Sequence, residues 1–437
     1  MSAPAARARG WALLLAATAT LCLFVPRSEW WAAAAVPQSW PESDYQIHRA
    51  AARVLDAGGN PYDSEALNTF GREPGPGSAR AFTPFCAAAP LPLSGFAWIA
   101  ARYDFDEGYR VLLRVQRGLT LLSAALLALA LRRMLSDGAS DGTGARLDAR
   151  WRAACATLPG ALGLAGLLVV GNDALWMAVW FNQLDLVALA ALCGALLAAL
   201  AKRPRLEGLL LAVATAAKLS PGLLVVVAAA QGRWRTVAAA GAAGAALVLL
   251  SIGLHGVEVH AHWLAMLRAE LGYVAERPAG LFNNSLHAWN LSPNGLLSRA
   301  AEAAGWSLSV TRAAVTVLAL GIAVVILAAA RRARTAPDAV AHGYALGVAA
   351  GFAISGTTWV HHLCLAALPL AWLASAWLRG GLSRAALAGA TLAALVLLVP
   401  LGISGDPQLV AEVRGKSVAV LLLPLLLAGA VRRPSAA

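Results

Sequence analysis

The sequence predicts an all-α polytopic membrane protein of about 10–12 transmembrane helices, some of them re-entrant or broken. Of the 437 residues, 59% are hydrophobic and only 13% are charged. Apolar runs recur at about 20 residues, the length that crosses ~30 Å of hydrocarbon. Lys and Arg gather at the ends of these runs, as topology signals do, so the net charge of +12 does not indicate nucleic-acid binding. Soluble enzyme classes are excluded, and residues 1–437 are predicted to form one integral-membrane domain.

Apolar stretches define the candidate spans, and the basic residues beside them set the orientation. The positive-inside rule places both termini in the cytoplasm and leaves residues 31–109 and 255–307 as the two large outer loops. The high Ala and Gly usage suits a bacterial plasma membrane. The candidate spans are residues 11–30, 110–131, 153–171, 183–201, 236–254, 308–330, 339–357, 361–378, 385–403 and 417–431.

Two further apolar segments do not fit a single crossing. Residues 206–231 have basic clusters on both sides, so one crossing would place a cluster outside. A hairpin of two short helices broken at "KLSP" removes the conflict, because Pro221 cannot continue a helix. Residues 81–99 contain Pro84, Pro90 and Pro92 and are predicted as an outer-face or re-entrant element.

The first outer loop holds an acidic residue at the start of an amphipathic stretch. Asp44 precedes apolar residues at helical spacing, which end at Gly58-Gly59 and are followed by Asn60-Pro61-Tyr62. We expect a short helix on the membrane surface. Spacing alone explains Asp44 as a charge that stabilises the helix N-terminus, and that interpretation stands beside a catalytic one.

Three polar residues interrupt apolar runs elsewhere. Gln183 and Asp185 stand at the start of a span in "FNQLDLVALAAL", where an acidic residue is costly and favours a cavity. An interfacial aromatic and polar belt is the alternative. Lys218, in "ATAAKLSPG", either extends towards the cytoplasmic face or binds a lipid phosphate at a helix break.

Amides and histidines mark the remaining outer positions. The loop "LFNNSLHAWNLSPNG" is rich in Asn, including Asn284, and suits sugar hydroxyls as well as a solvated loop. Near residue 360, Trp359 precedes the adjacent His361 and His362, which point about 100° apart if helical. At least one histidine should therefore face a cavity, and anion binding suits the pair. We expect no metal and no cofactor, because the sequence shows no ligand spacing and its five cysteines are scattered.

These motifs occur together and in this order in glycosyltransferase family 87, the polyprenol-phosphate-mannose-dependent, alpha-mannosyltransferase-like membrane enzymes. The chain resembles that family over most of its length, although it has Asn182-Gln183-Leu184-Asp185 where the family commonly has Gly-Gln-x-Asn. The motifs are Asp-Tyr with "GGNPY", "FTPFCAAAPLP", "FNQLD", "AAKLSPGLL" before "RWR", "NNSL" and "WVHH".

The resemblance implies a GT-C-type fold and inverting transfer of a sugar, commonly mannose, from a polyprenyl-phosphate donor on the outer face. A lipid or glycan hydroxyl is the acceptor, and Asp44 is the implied catalytic residue. A departing lipid phosphate needs no general acid, so Asp44 can act as base while His361 or His362 donates to the phosphate. The predicted substrate-binding residues are Tyr45, Gln183, Asp185, Lys218, Asn284, Trp359, His361 and His362.

Two other functions fit parts of the pattern. A transporter or flippase for lipid-linked glycans should show internal repeats and midplane charges, and the sequence shows neither clearly. A polymer ligase needs several outer arginines to bind pyrophosphate. The arginines that keep that alternative open are Arg49, Arg53, Arg268, Arg277 and Arg414.

Overall fold

The computed structural model describes residues 3–24, 44–71, 86, 88–136, 146–270, 290–398 and 406–430. Every regular element in these ranges is a helix, which confirms the all-α prediction. The α-helices are α1 Ala3–Phe24, α2 Asp44–Asp56, α3 Ser64–Gly71, α4 Pro90–Ala100, α5 Phe105–Ser136, α6 Arg146–Cys155, α7 Leu158–Val169, α8 Asp173–Trp180, α9 Asp185–Leu200, α10 Pro204–Ala217, α11 Leu223–Ala230, α12 Trp234–Glu270, α13 Pro293–Ala303, α14 Leu308–Arg332, α15 Ala339–Ile354, α16 Ala367–Leu378, α17 Arg384–Leu398 and α18 Asp406–Gly429. Short 3-10 helices cover Ser220–Gly222, Ala333–Thr335 and Val360–Ala366.

Within the described ranges, four helical segments are long and apolar enough to cross a bilayer. They are Phe105–Ser136, Trp234–Arg268, Leu308–Thr335 and Val360–Leu378, and further apolar helices of 10–17 residues accompany them. Large apolar side chains on α12 and α14 point away from the protein, such as Leu249 at 68% exposed and Val317 at 69%. Apolar surface of that kind is stable in lipid rather than in water. The chain is therefore a multi-pass membrane protein.

The candidate span 153–171 is not one helix, so that prediction was wrong in its detail. α6 ends at Cys155 and α7 begins at Leu158. The Thr157 hydroxyl accepts a hydrogen bond from the Gly160 amide at 3.2 Å, and Pro159 occupies the first turn of α7. An N-cap and a proline there start a new helix instead of extending the old one. The 12 residues of α7 reach only ~18 Å.

The predicted break at "KLSP" is present. α10 ends before Lys218, a 3-10 turn contains Pro221, and α11 follows. Arg233, after α11, contacts Glu207 at the start of α10 at 2.7 Å, and the Thr236 hydroxyl donates to the same carboxylate at 2.7 Å. The chain therefore enters and leaves this hairpin at one end, and Lys218 lies at the other.

The proline-rich segment 81–99 forms a short apolar helix over its described part. α4 has 11 residues and Pro90 at its start, and a turn at 101–104 connects it to α5. At 1.5 Å per residue it reaches ~16 Å, about half of a bilayer core. Residues 81–85 and 87 lie outside the described ranges, and the position of the segment relative to the membrane stays a prediction.

The predicted helix of the first outer loop is α2, and Gly58 follows it with a left-handed φ of 75°. More of α2 is buried by protein than a helix lying on a membrane surface would need. Tyr45, His48 and Arg49 are buried together with the small residues of its middle. α2 packs against α3 and α4.

The core surrounds α9 and α15, which are buried on nearly every face. The leucines of α9, such as Leu186, Leu189 and Leu192, are fully buried. α9 packs between α5 and α10, and its N-terminus meets the 3-10 helix Val360–Ala366. This arrangement brings residues near 44, 185, 218 and 361 to one end of the core.

Candidate functional site

A tight turn between α8 and α9, residues 181–184, is the centre of the site. Asn182 adopts a left-handed φ of 55° and is 1% exposed. The Gln183 amide donates to the Ala178 carbonyl at 2.9 Å, and the Gln183 carbonyl accepts from Gln116 Nε2 at 2.9 Å. These two bonds restrain the backbone from which the Gln183 side chain projects.

The Gln183 side chain contacts Asp44. Its Nε2 donates to Asp44 Oδ2, which places the first residue of α2 against the turn. Burial raises the pKa of the Asp44 carboxyl to about 7; the Lys218 charge opposes this shift and the Asp185 charge adds to it. A carboxyl that titrates near neutral pH is suited to general-base work.

Lys218 pairs with Asp185 at the hairpin break. The ammonium contacts both carboxylate oxygens, at 2.7 Å and 2.6 Å, and the side chains are 19% and 0% exposed. Lys218 ends α10 in an extended conformation, which directs its side chain into the site. The Lys218 ammonium is thus paired inside the protein at the helix break, and the membrane face nearest to it stays a prediction.

The histidine pair lies beside the same carboxylate. His361 Nε2 is 3.9 Å from Asp185 Oδ2, and the rings of His361 and His362 are 4.5 Å apart, edge to face. The histidines lie in the 3-10 helix Val360–Ala366. The Asn172 side chain donates to the Leu363 carbonyl at 3.0 Å and so attaches that helix to the N-terminus of α8.

The surroundings of His362 define which of its nitrogens carries a proton. The Trp359 backbone N–H points at His362 Nδ1, 3.3 Å away. Because Nδ1 accepts this hydrogen bond, the neutral ring carries its proton on Nε2. His362 therefore presents an N–H donor to the site.

Asp185, His361 and His362 form a group whose ligand atoms lie within 4.8 Å of one another and could hold a metal ion. The sequence does not reveal this group, because Asp185 is far from the histidines in the chain. Two features suit an anion better than a cation. Lys218 already covers both oxygens of Asp185, and His362 has one nitrogen bonded to Trp359 and the other protonated. Ammonium and N–H groups that converge are donors for phosphate oxygens.

The remaining predicted residues have other surroundings. Tyr45 is 1% exposed between the rings of Phe105 and Tyr109, at 5.1 and 5.8 Å, and its hydroxyl accepts from Arg49 at 3.4 Å. The two ring contacts hold α2 to α5. Asn284 lies outside the described residues.

Two asparagines of the same amide-rich segment bond to the protein itself. Asn290 accepts from the Thr358 amide at 3.1 Å, and both Asn290 and Asn294 donate to the Gly356 carbonyl, at 3.1 and 2.7 Å. They hold the backbone that leads into Trp359 and the histidines.

Sequence reasoning did not identify Gln116 or Asn172 as part of the site. Gln116 lies between Arg114 and Arg117 in the first half of α5. A polar residue beside two charged ones does not indicate a buried contact. Asn172 is a turn residue in "VGNDALW" whose side chain also caps α8, accepting from Ala174 at 3.1 Å. Their long-range bonds are visible only in three dimensions.

Comparison with known proteins identifies the family. The profile of glycosyltransferase family 87 matches residues 74–356, more than half of the chain. A search of curated proteins finds no match. Gln183, Asp185 and Lys218 lie inside the matched range, whereas Asp44 and the histidines lie outside it and join it through Gln183 and Asp185. The chain belongs to glycosyltransferase family 87 and is a membrane glycosyltransferase.

Proposed function

We propose that this protein transfers a sugar, mannose in the first instance, from a polyprenyl-phosphate donor to a hydroxyl of a lipid or glycan acceptor. Transfer takes place on the outer face of the bacterial plasma membrane and inverts the anomeric centre. Asp44 is the base. Lys218 and the histidine pair bind the phosphate of the donor.

One arrangement supports this proposal above the others. Gln183, in the turn at 181–184, contacts the Asp44 carboxyl. Asp185, the first residue of α9, contacts the Lys218 ammonium. An inverting transfer needs a base on one side of the sugar and charge stabilisation for the leaving group on the other. Asp44 is the candidate base and Lys218 is the candidate cation. The residues that contact them, Gln183 and Asp185, are two positions apart in the chain.

The step balances with these groups. The acceptor oxygen attacks the anomeric carbon as the bond from that carbon to the phosphate oxygen breaks. The acceptor proton passes to Asp44, and the leaving phosphate keeps the electron pair of the broken bond. Lys218 and the Nε2–H of His362 stabilise the charge that develops on it. Phosphate is a good leaving group, so no side chain has to protonate it.

A lipid-linked donor suits the position of these groups. Lys218 lies at the tip of a hairpin of apolar helices, and the histidines begin a segment, Val360–Leu378, apolar enough to span the membrane. A phosphate at this level leaves its polyprenyl chain in the hydrocarbon. A nucleotide sugar would need a polar base-binding pocket in addition.

Two of the five arginines on which the polymer-ligase alternative depends make contacts within the protein, whereas Arg277 and the Arg414 side chain lie outside what the structure describes. Arg49 is 7% exposed and donates to the Tyr103 carbonyl at 3.1 Å, and Arg53 lies over the Phe70 ring at 5.8 Å. Both contacts hold α2 to neighbouring segments. Pyrophosphate binding would require these guanidinium groups to face the site.

The test is a donor panel with purified protein in liposomes. Polyprenyl-phosphate mannose, the corresponding arabinose donor and a nucleotide-linked mannose are each offered with membrane lipid and glycan acceptors. We expect transfer from a polyprenyl-phosphate donor only, with an inverted anomeric configuration in the product. Transfer from the nucleotide sugar, or retention of configuration, contradicts the proposal.

The same preparation tests the role of metal. Activity that survives chelation, with no zinc or other divalent ion bound by elemental analysis, is the expected result. Loss of activity on chelation and its return with one metal per protein would assign the group of Asp185, His361 and His362 to a cation instead.

A further inference from the structure

We infer that Gln183 is a positioning residue for the catalytic base and that Gln116 holds Gln183 in place. The inference rests on the proposed role of Asp44 as base. It concerns a hydrogen-bonded chain from α5 through the 181–184 turn to α2, namely Gln116 to Gln183 to Asp44.

The first connection is between α5 and the turn. Gln116 is 4% exposed, and its Nε2 donates to the Gln183 carbonyl at 2.9 Å. The Gln183 amide is also bonded, to the Ala178 carbonyl at 2.9 Å. The two hydrogen bonds hold the peptide groups on either side of the Gln183 Cα, so the backbone at this position is restrained next to the left-handed Asn182.

The second connection is between the turn and α2. Gln183 Nε2 donates to one oxygen of the Asp44 carboxyl, Oδ2. A bond to one oxygen fixes the rotation of the carboxyl and directs the second oxygen to a defined place. A base must lie within hydrogen-bond reach of the proton that it removes, so this orientation matters for the rate.

The hydrogen bond donated by Gln183 also affects the charge of the Asp44 carboxyl. A hydrogen bond to a carboxylate stabilises the ionised form. Without the Gln183 amide, Asp44 would face burial and the negative charge of Asp185, with only Lys218 opposing them. His48, one turn further along α2, is neutral because burial lowers its pKa to about 4, so it adds no charge. Gln183 therefore keeps the base ionised at a lower pH.

The test compares three buried glutamines replaced by methionine, which has a similar length and no donor. Gln183→Met and Gln116→Met remove connections in the chain. Gln231→Met is the matched control: its Nε2 also donates to a backbone carbonyl, that of Ala339 at 2.6 Å, at the end of α15 remote from Asp44. For each protein, kcat and KM for the donor are measured between pH 5 and pH 9.

For Gln183→Met we expect kcat to fall about 10- to 100-fold with KM little changed, and the acidic limb of kcat/KM to move up by about one pH unit. Gln116→Met should show the same pattern at smaller size, and Gln116→Glu, which lacks the amide donor, should not restore it. Gln231→Met should keep the wild-type pH profile.

The outcomes separate the two claims. If Asp44→Asn abolishes transfer while Gln183→Met keeps the wild-type pH profile, Asp44 remains the base and the positioning role is wrong. If Asp44→Asn remains active, the proposed base itself is wrong. Equal loss of kcat in Gln183→Met and Gln231→Met, with unchanged pH profiles, would show a purely structural role and contradict the inference.

Discussion

The Lys218 ammonium contacts both carboxylate oxygens of Asp185, at 2.7 and 2.6 Å, although the two residues come from different helices. Asp185 is fully buried, and Lys218 is its ion-pair partner. The pair joins the N-terminus of α9 to the hairpin tip. It gives the site a cation whose position does not depend on a bound substrate.

Removing one member of this pair should destabilise the protein. Asp185→Asn leaves Lys218 without its counter-charge, and we expect the free energy of unfolding to fall by about 2–4 kcal/mol. Asp338→Asn is the control, because its partner Arg379 forms a more exposed pair at 3.0 Å and should cost less than about 1 kcal/mol. Thermal unfolding in detergent measures both; equal losses would show that the buried pair has no special weight.

The tautomer of His362 leads to a prediction about two similar substitutions. Gln can place an N–H donor near the position of Nε2, whereas Asn can only replace the Nδ1 acceptor that receives the Trp359 amide. If the Nε2–H of His362 forms a hydrogen bond to the phosphate of the polyprenyl-phosphate sugar, His362→Gln should keep about tenfold more activity than His362→Asn. Initial rates of sugar transfer at equal protein decide this. A more active His362→Asn would mean that the ring serves only to hold Trp359.

The raised pKa of Asp44 affects stability as well as activity. The folded carboxyl titrates near pH 7 and the unfolded one near its ordinary value of 3.8. As pH rises from about 4 to 7, the unfolded chain loses its proton first, so the contribution of Asp44 to stability falls over this window. Asp44→Asn should therefore raise Tm relative to the wild type more at pH 8 than at pH 4. A Tm difference independent of pH would contradict the shift.

The hairpin makes a prediction about membrane sidedness. Glu207 and Arg233 meet, so the basic clusters before α10 and after α11 should face the same compartment. Cysteines introduced as Arg205→Cys and Arg235→Cys should react with an impermeant maleimide only after the cells are opened, whereas Asp56→Cys on α2 should react in intact cells. The wild type gives the background of native cysteines. Labelling of Arg205→Cys and Arg235→Cys from opposite sides would rule out the hairpin.

The sequence predicted the elements better than their connections. Apolar run length and proline chemistry located the helices and the break before Pro221, because both depend on local backbone preferences. The split at Thr157 was missed, since an N-cap inside an apolar run changes hydropathy very little. Asp185, Lys218 and the histidines were recognised as unusual, because charged or polar groups in apolar surroundings are costly. Asp44 was singled out by the family resemblance, since its spacing alone suits a charge at a helix N-terminus.

Their pairing could not be read from the sequence. Gln183 was predicted to bind substrate, and the structure shows it bonded to Asp44. Asp185 was predicted to face a cavity, and it faces Lys218. Contacts between residues far apart in the chain depend on how α9, α10 and the 3-10 helix at 360 pack together, which single-sequence patterns do not encode.

In the proposed reaction, Asp44 removes the acceptor proton during transfer from a polyprenyl-phosphate sugar. The direct measurement is the rate of transfer by reconstituted wild type, Asp44→Asn and Asp56→Asn, the last being an exposed aspartate on the same helix. We expect a loss of at least about 100-fold for Asp44→Asn, and a wild-type rate for Asp56→Asn. Transfer by Asp44→Asn at the wild-type rate would contradict this role of Asp44.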